Sequence, residues 1–453
     1  IYTSFYTLSL HDALPIFIVF LNVLGAPYLS KLSGLVWVCY NLFLIICAMI
    51  TVQYLRSDLK KCIIPVFLFA YWALHNSLAL FRLGYIKKYP VNDIEKEFLI
   101  VLFSTIILYI GVNLGLRMKT KPLKLSKYEE LSDKTYLVVM AVYFVYFLAK
   151  IYFAGGFYNY LFSDYQFKIP ESLQTIFFVV KNTLTGFDYF NLLYIVKRGM
   201  KVSVLAKFFF AFSLFNVFIG GGSTGILYLL VCLVAVLIFK SKNSIQVSKY
   251  IRRGIPVAIV GIYVGILIRF NRTNYSEFSF NVLNNAMDSI LGSATFDCQE
   301  NLLRVLRDFT PTYSLQQFIY PFVNWMPRSL FSWKPTELGT VMASTYHNFA
   351  SNANAGFATT PMADFYYDFG YLGMVIGILL EGCFIGWMQR KYYVSDLRSD
   401  VTLWALVFSM YICSNVPNWY TGFGIRIFYL FVFYMILKMM TRVWGGKVAA
   451  KNE

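Results

Sequence analysis

The segment GLVWVCYNLFLIICAMITVQYL, residues 34–55, decides the class of this fold. It contains no charged side chain, and it is as long as the roughly 20 apolar residues that a helix needs to cross the hydrocarbon core of a bilayer. The whole chain shares this character, because 58% of its 453 residues are hydrophobic and only 14% are charged. An average soluble domain has about 25% charged residues. We therefore predict an all-α polytopic membrane protein.

Apolar runs of similar length predict about twelve transmembrane helices. They lie near residues 16–30, 34–55, 62–83, 97–116, 135–154, 174–196, 202–220, 223–239, 255–270, 368–388, 401–417 and 423–440. The first residues fit neither a span nor a signal peptide, so we expect 1–16 to be a non-native segment. The rest divides into N-terminal transmembrane helices (17–270), a large loop (271–361), and C-terminal transmembrane helices with a tail (362–453).

Basic residues set the predicted orientation. With twelve spans, the connectors rich in Lys and Arg all fall on one side, namely 56–61, 117–134, 197–201, 240–254, 389–400 and the tail after Lys438. The positive-inside tendency places that side and both termini in the cytoplasm, so the large loop is extracytoplasmic. The same tendency accounts for the net charge of +17, and we therefore expect no nucleic-acid binding.

Metal and nucleotide chemistry are not indicated by the sequence. The histidines His11, His75 and His347 lie far apart, and there is no HxxxH, CxxC, DxD or Walker-type motif. Cys298 is the one cysteine of the loop, which predicts no disulfide framework there. We expect no metal site and no cofactor.

Several ionisable residues fall within the predicted spans, where they are costly and often line a polar cavity. They are His75, Lys181, Asp188, Arg269, Glu381 and Arg426. Structural pairing, or snorkelling of the long side chains to the head groups, is the alternative for each of them.

Two stretches carry a family resemblance, one within the loop and one at the boundary between the loop and the next span. MPRSLFSWKPTELG (326–339) and TTPMADFYYDFGYLG (359–373) resemble the C-terminal region of Wzy-type oligosaccharide repeat-unit polymerases. That family has a Pro-Arg and a Lys-Pro in a large outer loop, then an acid among aromatic residues, and Phe-Gly-x-x-Gly at the start of the next span. The matching positions are Pro327, Arg328, Lys334, Pro335, Asp364, Phe369, Gly370 and Gly373.

The resemblance implies a GT-C-like, metal-independent glycosyltransferase of the bacterial cytoplasmic membrane. Such an enzyme joins undecaprenyl-diphosphate-linked repeat units into O-antigen or capsular polysaccharide on the outer face. Its expected partners are this lipid-linked glycan, membrane lipid and a chain-length regulator protein. An O-antigen ligase shares the span count and the Arg-rich loop, and a lipid-linked oligosaccharide flippase or transporter is the alternative from another class.

This chemistry requires cations for the diphosphate, a base for the acceptor hydroxyl and aromatic rings for sugars. We expect Arg328, Asp364 and His347 to be catalytic, and Arg272, Arg304, Arg307, Lys334, Trp333 and Tyr367 to bind substrate. Other interpretations stay open. Arg304 stands four residues from both Glu300 and Asp308, which favours a helical ion-pair ladder. Trp333 is also consistent with an interfacial anchor, and His347 with a solvated loop residue.

Overall fold

The computed structural model describes most of residues 18–122, 133–162, 296–347 and 357–395, together with helical pieces within 204–212 and 428–440 and scattered residues elsewhere. The described residues form helices and no strands. Predicted spans that lie largely outside them are 174–196, 202–220, 223–239, 255–270 and 401–417, and the span 423–440 is described only in pieces.

Ten helices are labelled in chain order within the described ranges. They are α1 (Ile18–Leu29), α2 (Gly34–Arg56), α3 (Leu59–Ile86), α4 (Val91–Arg117), α5 (Asp133–Phe153), α6 (Phe157–Phe162), α7 (Cys298–Asp308), α8 (Gln316–Val323), α9 (Leu338–His347) and α10 (Pro361–Tyr393). Five of them, α2, α3, α4, α5 and α10, are long and apolar enough to cross a membrane. The all-α class and the multi-pass membrane character are thus confirmed for this part of the chain, and the total of about twelve spans stays a prediction.

The chain forms two compact units. The first contains 1–122, 288–394 and 412–427, and the second contains 123–287, 395–411 and 428–453. Helices α5 and α6 belong to the second unit, where Phe147 packs edge-on against the buried ring of Tyr160. The other labelled helices belong to the first unit, which also carries the described candidate site residues.

Helices α4 and α10 pack against each other through glycines. Gly111 and Gly115 on α4 face Gly382 and Gly386 on α10, each pair being separated by three residues. A Cβ atom on Gly382 would lie only 2.6 Å from the carbonyl oxygen of Leu108. The absence of side chains therefore allows the two backbones to approach closely, as in other small-xxx-small helix pairs in membranes.

The described parts of three basic connectors lie at one end of the first unit, which we call the basic end. There Lys61 Nζ lies 5.3 Å from the centroid of the Tyr393 ring, and the backbone N–H of Ile64 donates to Gln389 Oε1 at 2.9 Å. Helix α4 also ends there, beside Trp387 of α10. The described residues 59–61, 117–122 and 389–394 of the predicted basic connectors thus share one end of this unit. The opposite end, which carries the 87–90 turn, is called the loop end.

Candidate functional site

Helix α10 folds back on itself at the loop end. Gly370 has φ +64° and ψ −152°, and the backbone of Phe369 is also non-helical. A Cβ atom on Gly377 would lie 2.6 Å from Phe365 Cδ1, whereas a straight helix would separate these two residues by about 18 Å. Residues 361–368 therefore lie beside the start of the spanning part of α10 rather than above it. The positive φ explains why glycine stands at position 370.

This fold-back buries Asp364 inside the unit. The carboxyl is fully buried, and its Oδ1 accepts a hydrogen bond from Thr359 Oγ1 at 3.0 Å. Its Oδ2 has no hydrogen-bond partner among the described residues. Glu381, farther along α10, is also buried and lies near enough to interact electrostatically with Asp364. The Asp364 carboxyl is thus held by one oxygen, and its other oxygen is buried without a hydrogen-bond partner among the described residues.

Helix α7 of the large loop inserts along α3. Gln299 Nε2 donates to Asn76 Oδ1 at 2.5 Å, and Cys298 Sγ lies 3.9 Å from His75 Nε2. His75 precedes the end of α3 at Ile86 by about 16 Å of helix rise, so the first turn of α7 reaches well into the bundle. This segment of the loop therefore docks on α3.

The same helix connects to the segment that leads to Asp364. Asn301 Nδ2 donates to the carbonyl oxygen of Ala358 at 2.8 Å. The next residue, Thr359, binds the Asp364 carboxyl. Helix α7 therefore supports the backbone on which the candidate base is positioned.

An ionic cluster joins α7 to α3 and to the turn between α3 and α4 at the loop end. Arg82 Nη2 lies 2.6 Å from Asp297 Oδ1 and 3.5 Å from Glu300 Oε2. Glu300 Oε1 accepts hydrogen bonds from Tyr89 Oη at 2.9 Å and from Arg304 Nη2 at 2.5 Å. Burial raises the pKa of the Asp297 carboxyl, and the Arg82 guanidinium opposes this shift. The two arginines and two acids balance in charge.

Arg304 is held by further contacts. Its Nε donates to Tyr89 Oη at 3.1 Å, and its guanidinium carbon lies 5.3 Å from the ring centroids of Tyr346 and Phe357. The predicted pair between Arg304 and Glu300 forms, which supports the ion-pair interpretation of this arginine. Arg304 therefore links α7 to Tyr89 in the turn between α3 and α4, and to Tyr346 of α9.

Arg307 and Asp308 make a neighbouring pair near the surface. Arg307 Nε and Nη2 donate to the two carboxylate oxygens of Asp308 at 2.7 Å and 2.9 Å, and Tyr346 Oη donates to the same carboxylate at 2.5 Å. The hydrogen bonds from Arg307 lower the pKa of Asp308. The predicted ion-pair ladder is therefore wrong for the pair of Arg304 with Asp308, because the Asp308 carboxylate binds Arg307 and Tyr346 instead.

The remaining described candidates lie around α8 and α10. Lys334 Nζ donates to the carbonyl oxygens of Asn324 and Met326 at 2.7 Å and 3.1 Å, so this cation caps the C-terminus of α8, where carbonyl groups favour positive charge. Trp333 is exposed. Tyr367 is half-buried, with its carbonyl oxygen accepting from the N–H of Thr312 at 2.8 Å.

Three predicted site residues are not described in full. Arg272 and Arg328 lie outside the described residues, as does the side chain of His347, whose backbone ends α9. The structure therefore unites Arg304 and Arg307 on α7 and links that helix to Asp364, while Lys334 is bound to α8.

Glu97 is a buried acid that the sequence analysis did not single out. It is the first residue of the predicted span 97–116, but α4 begins earlier, at Val91, and buries Glu97 completely. Neither carboxyl oxygen has a hydrogen-bond partner within the described part of the chain. Pro90 followed by Asp93 in the first turn is a helix-start signal that would have placed this residue correctly.

Comparison with family models, with curated proteins and with solved structures finds no match to this chain. The chemistry of the site is therefore argued from its own residues.

Proposed function

We propose that this protein is a membrane glycosyltransferase that polymerises undecaprenyl-diphosphate-linked repeat units into O-antigen or capsular polysaccharide. One observation supports the proposal. The segment 357–368, which contains the acid of the motif, enters the end of the bundle. There Asp364 is fully buried, and one of its carboxylate oxygens has no hydrogen-bond partner among the described residues. The positive-inside tendency assigns that end to the outer face.

In this mechanism Asp364 acts as the general base. Its Oδ2 accepts the proton of the acceptor hydroxyl while the hydroxyl oxygen attacks the anomeric carbon of the donor chain. The bond from that carbon to the diphosphate oxygen breaks, and the lipid diphosphate leaves as an anion. Thr359, bound to Oδ1 at 3.0 Å, keeps the carboxylate in one orientation.

The leaving diphosphate requires cations, and the described cations of the loop already have partners within the protein. Arg304 binds Glu300, Arg307 binds Asp308, and Lys334 caps α8. We therefore assign the diphosphate to Arg328 and Arg272, because a guanidinium offers a planar pair of donors to phosphate oxygens. No acid lies within four residues of Arg328 in the sequence, so it has no local salt-bridge partner.

A second candidate, a lipid-linked oligosaccharide flippase or transporter, is favoured by the fold-back at Phe369 and Gly370. Interrupted helices with polar groups near the break are common in transporters, and Asp364 and Glu381 are buried close to this one. This candidate predicts a different cellular phenotype, and the experiment below separates the two.

The test is the glycan ladder of a strain that lacks this gene, complemented with the wild type or with Asp364→Asn. Polymerase function predicts that both the deletion and Asp364→Asn lose long chains while single repeats are still displayed. Asn preserves the shape of the side chain but is not a base. Thr345→Ala, at an exposed position of α9, serves as the control that should restore the ladder. If single repeats are lost as well and lipid-linked units accumulate inside the cell, the protein is a flippase and the polymerase assignment is wrong.

A further inference from the structure

Helix α8 buries Gln317 together with Tyr320, Pro321 and Val323, and it exposes an apolar face. Gln317 is fully buried, where its Nε2 donates to the carbonyl oxygen of Thr336 and its Oε1 accepts from the N–H of Leu338, both at 2.9 Å. Leu315, Ile319 and Phe322 are 50%, 38% and 60% exposed. Their spacing of four and then three residues forms one helical face, which we call the α8 stripe. A helix on a water-exposed surface usually has polar residues on its exposed face.

The surrounding sequence is uncharged. Between Asp308 and Arg328 there is no Asp, Glu, Lys or Arg, and this segment belongs to the loop that is predicted to be extracytoplasmic. Tyr313 and Trp333, which flank α8 in the chain, are also exposed. Aromatic residues of this kind concentrate where a membrane meets water. The composition therefore argues against a charged partner and against full hydration.

The stripe lies on a helix that packs against a membrane-spanning candidate. Helix α8 contacts α10, and the Asp368 carboxylate accepts hydrogen bonds from the backbone N–H groups of Gln317 at 3.0 Å and Phe318 at 2.8 Å. Helix α10 exposes Tyr371, Leu372, Val375 and Ile376 just after its fold-back. An apolar outer surface therefore occurs on both helices at the loop end.

We propose that α8 is an interfacial helix whose stripe lies among phospholipid acyl chains just below the head groups. A second copy of the chain is a weaker candidate for covering the stripe, because a stable dimer buries about 800 Å² on each partner, much more than three partly exposed side chains supply. The Asp368 carboxylate fixes α8 to α10, and the buried Gln317 side chain fixes it to the backbone at the start of α9. Lipid contact along the stripe therefore anchors the loop at a defined depth. This inference does not depend on the proposed enzymatic function.

Photo-crosslinking of the full-length protein in its own membrane tests the proposal. The photoreactive amino acid p-benzoyl-phenylalanine replaces Phe322, and after illumination the modified peptide is analysed by mass spectrometry. We expect a phospholipid adduct in a yield comparable to that at Phe103, an exposed residue on the spanning helix α4. The matched control is Thr345 on α9, exposed and polar, where the adduct should be absent. A second probe at Leu315 samples the other end of the stripe and covers the case in which the Phe322 variant does not fold.

Each other outcome overturns the proposal. A cross-linked dimer would identify a second copy as the partner of the stripe, and an adduct to another protein would identify a protein interface. A cross-link to a distant peptide of the same chain would show that the protein covers its own stripe. Absence of any adduct at both probes, as at Thr345, would place the stripe in water.

Discussion

Replacing Arg304 by Ala separates its structural interpretation from its substrate-binding interpretation. The change removes the 2.5 Å ion pair with Glu300, the 3.1 Å hydrogen bond to Tyr89, and two aromatic faces at 5.3 Å. Breaking a buried ion pair costs about 3–5 kcal/mol, but Arg304 is 15% exposed and Glu300 keeps Arg82 and Tyr89 as partners. Each cation–π contact adds about 0.5–1 kcal/mol. We therefore expect α7 to be held about 2–4 kcal/mol less strongly.

The thiol of Cys298 at the start of α7 reports this loss. It is fully buried, and burial also raises the pKa of the thiol, so a maleimide reaches it only when α7 opens locally. The labelling rate then follows the population of the open state. A change of about 2–4 kcal/mol corresponds to roughly 30-fold to 800-fold faster labelling, measured by mass spectrometry on the peptide that contains Cys298.

The matched control is Arg307→Ala, on the same helix but with a side chain that is 50% exposed. An exposed pair of this kind contributes about 0–1 kcal/mol, so labelling should accelerate about fivefold at most. Equal labelling of the wild type and Arg304→Ala would refute the reasoning. The ion pair would then not hold α7, and Arg304 would return to the candidates for binding the diphosphate.

Three further predictions concern packing, topology and the diphosphate. Gly382→Ala should lower the apparent unfolding temperature in detergent, because the new methyl group overlaps backbone atoms of α4 and overpacking costs about 1–3 kcal/mol. The control is Gly34→Ala, because a Cβ atom there would meet no atom within 4 Å. Equal unfolding temperatures of the two variants would contradict the close approach of α4 and α10. Cysteine at Ser344 should react with an impermeant maleimide in intact spheroplasts, whereas cysteine at Ser126 should react only after permeabilisation; the reverse pattern would invert the orientation. Arg328→Ala should abolish chain extension at normal protein level while Arg328→Lys restores it partly, since an ammonium lacks the bidentate fork; normal polymer from Arg328→Ala would move the site to Arg272, Arg304 or Arg307.

The all-α membrane class could be predicted from the sequence because it depends on local properties. A helix that crosses a bilayer satisfies its own backbone hydrogen bonds, so the length of an apolar run is sufficient to indicate it. The run at 34–55 becomes Gly34–Arg56, and 97–116 lies within Val91–Arg117. Spacing along one helix is local too, and it correctly indicated the pair of Glu300 with Arg304.

The tertiary structure alone decided which distant residues meet. Glu97 begins a predicted span, but only the packing of α4 buries its carboxyl completely. Asp364 is buried because α10 folds back at Gly370. The two glycine pairs of α4 and α10 are visible in the chain, but their pairing is not. Burial and partner choice depend on contacts between segments that lie hundreds of residues apart, and a single sequence without internal repeats contains no local signal for them.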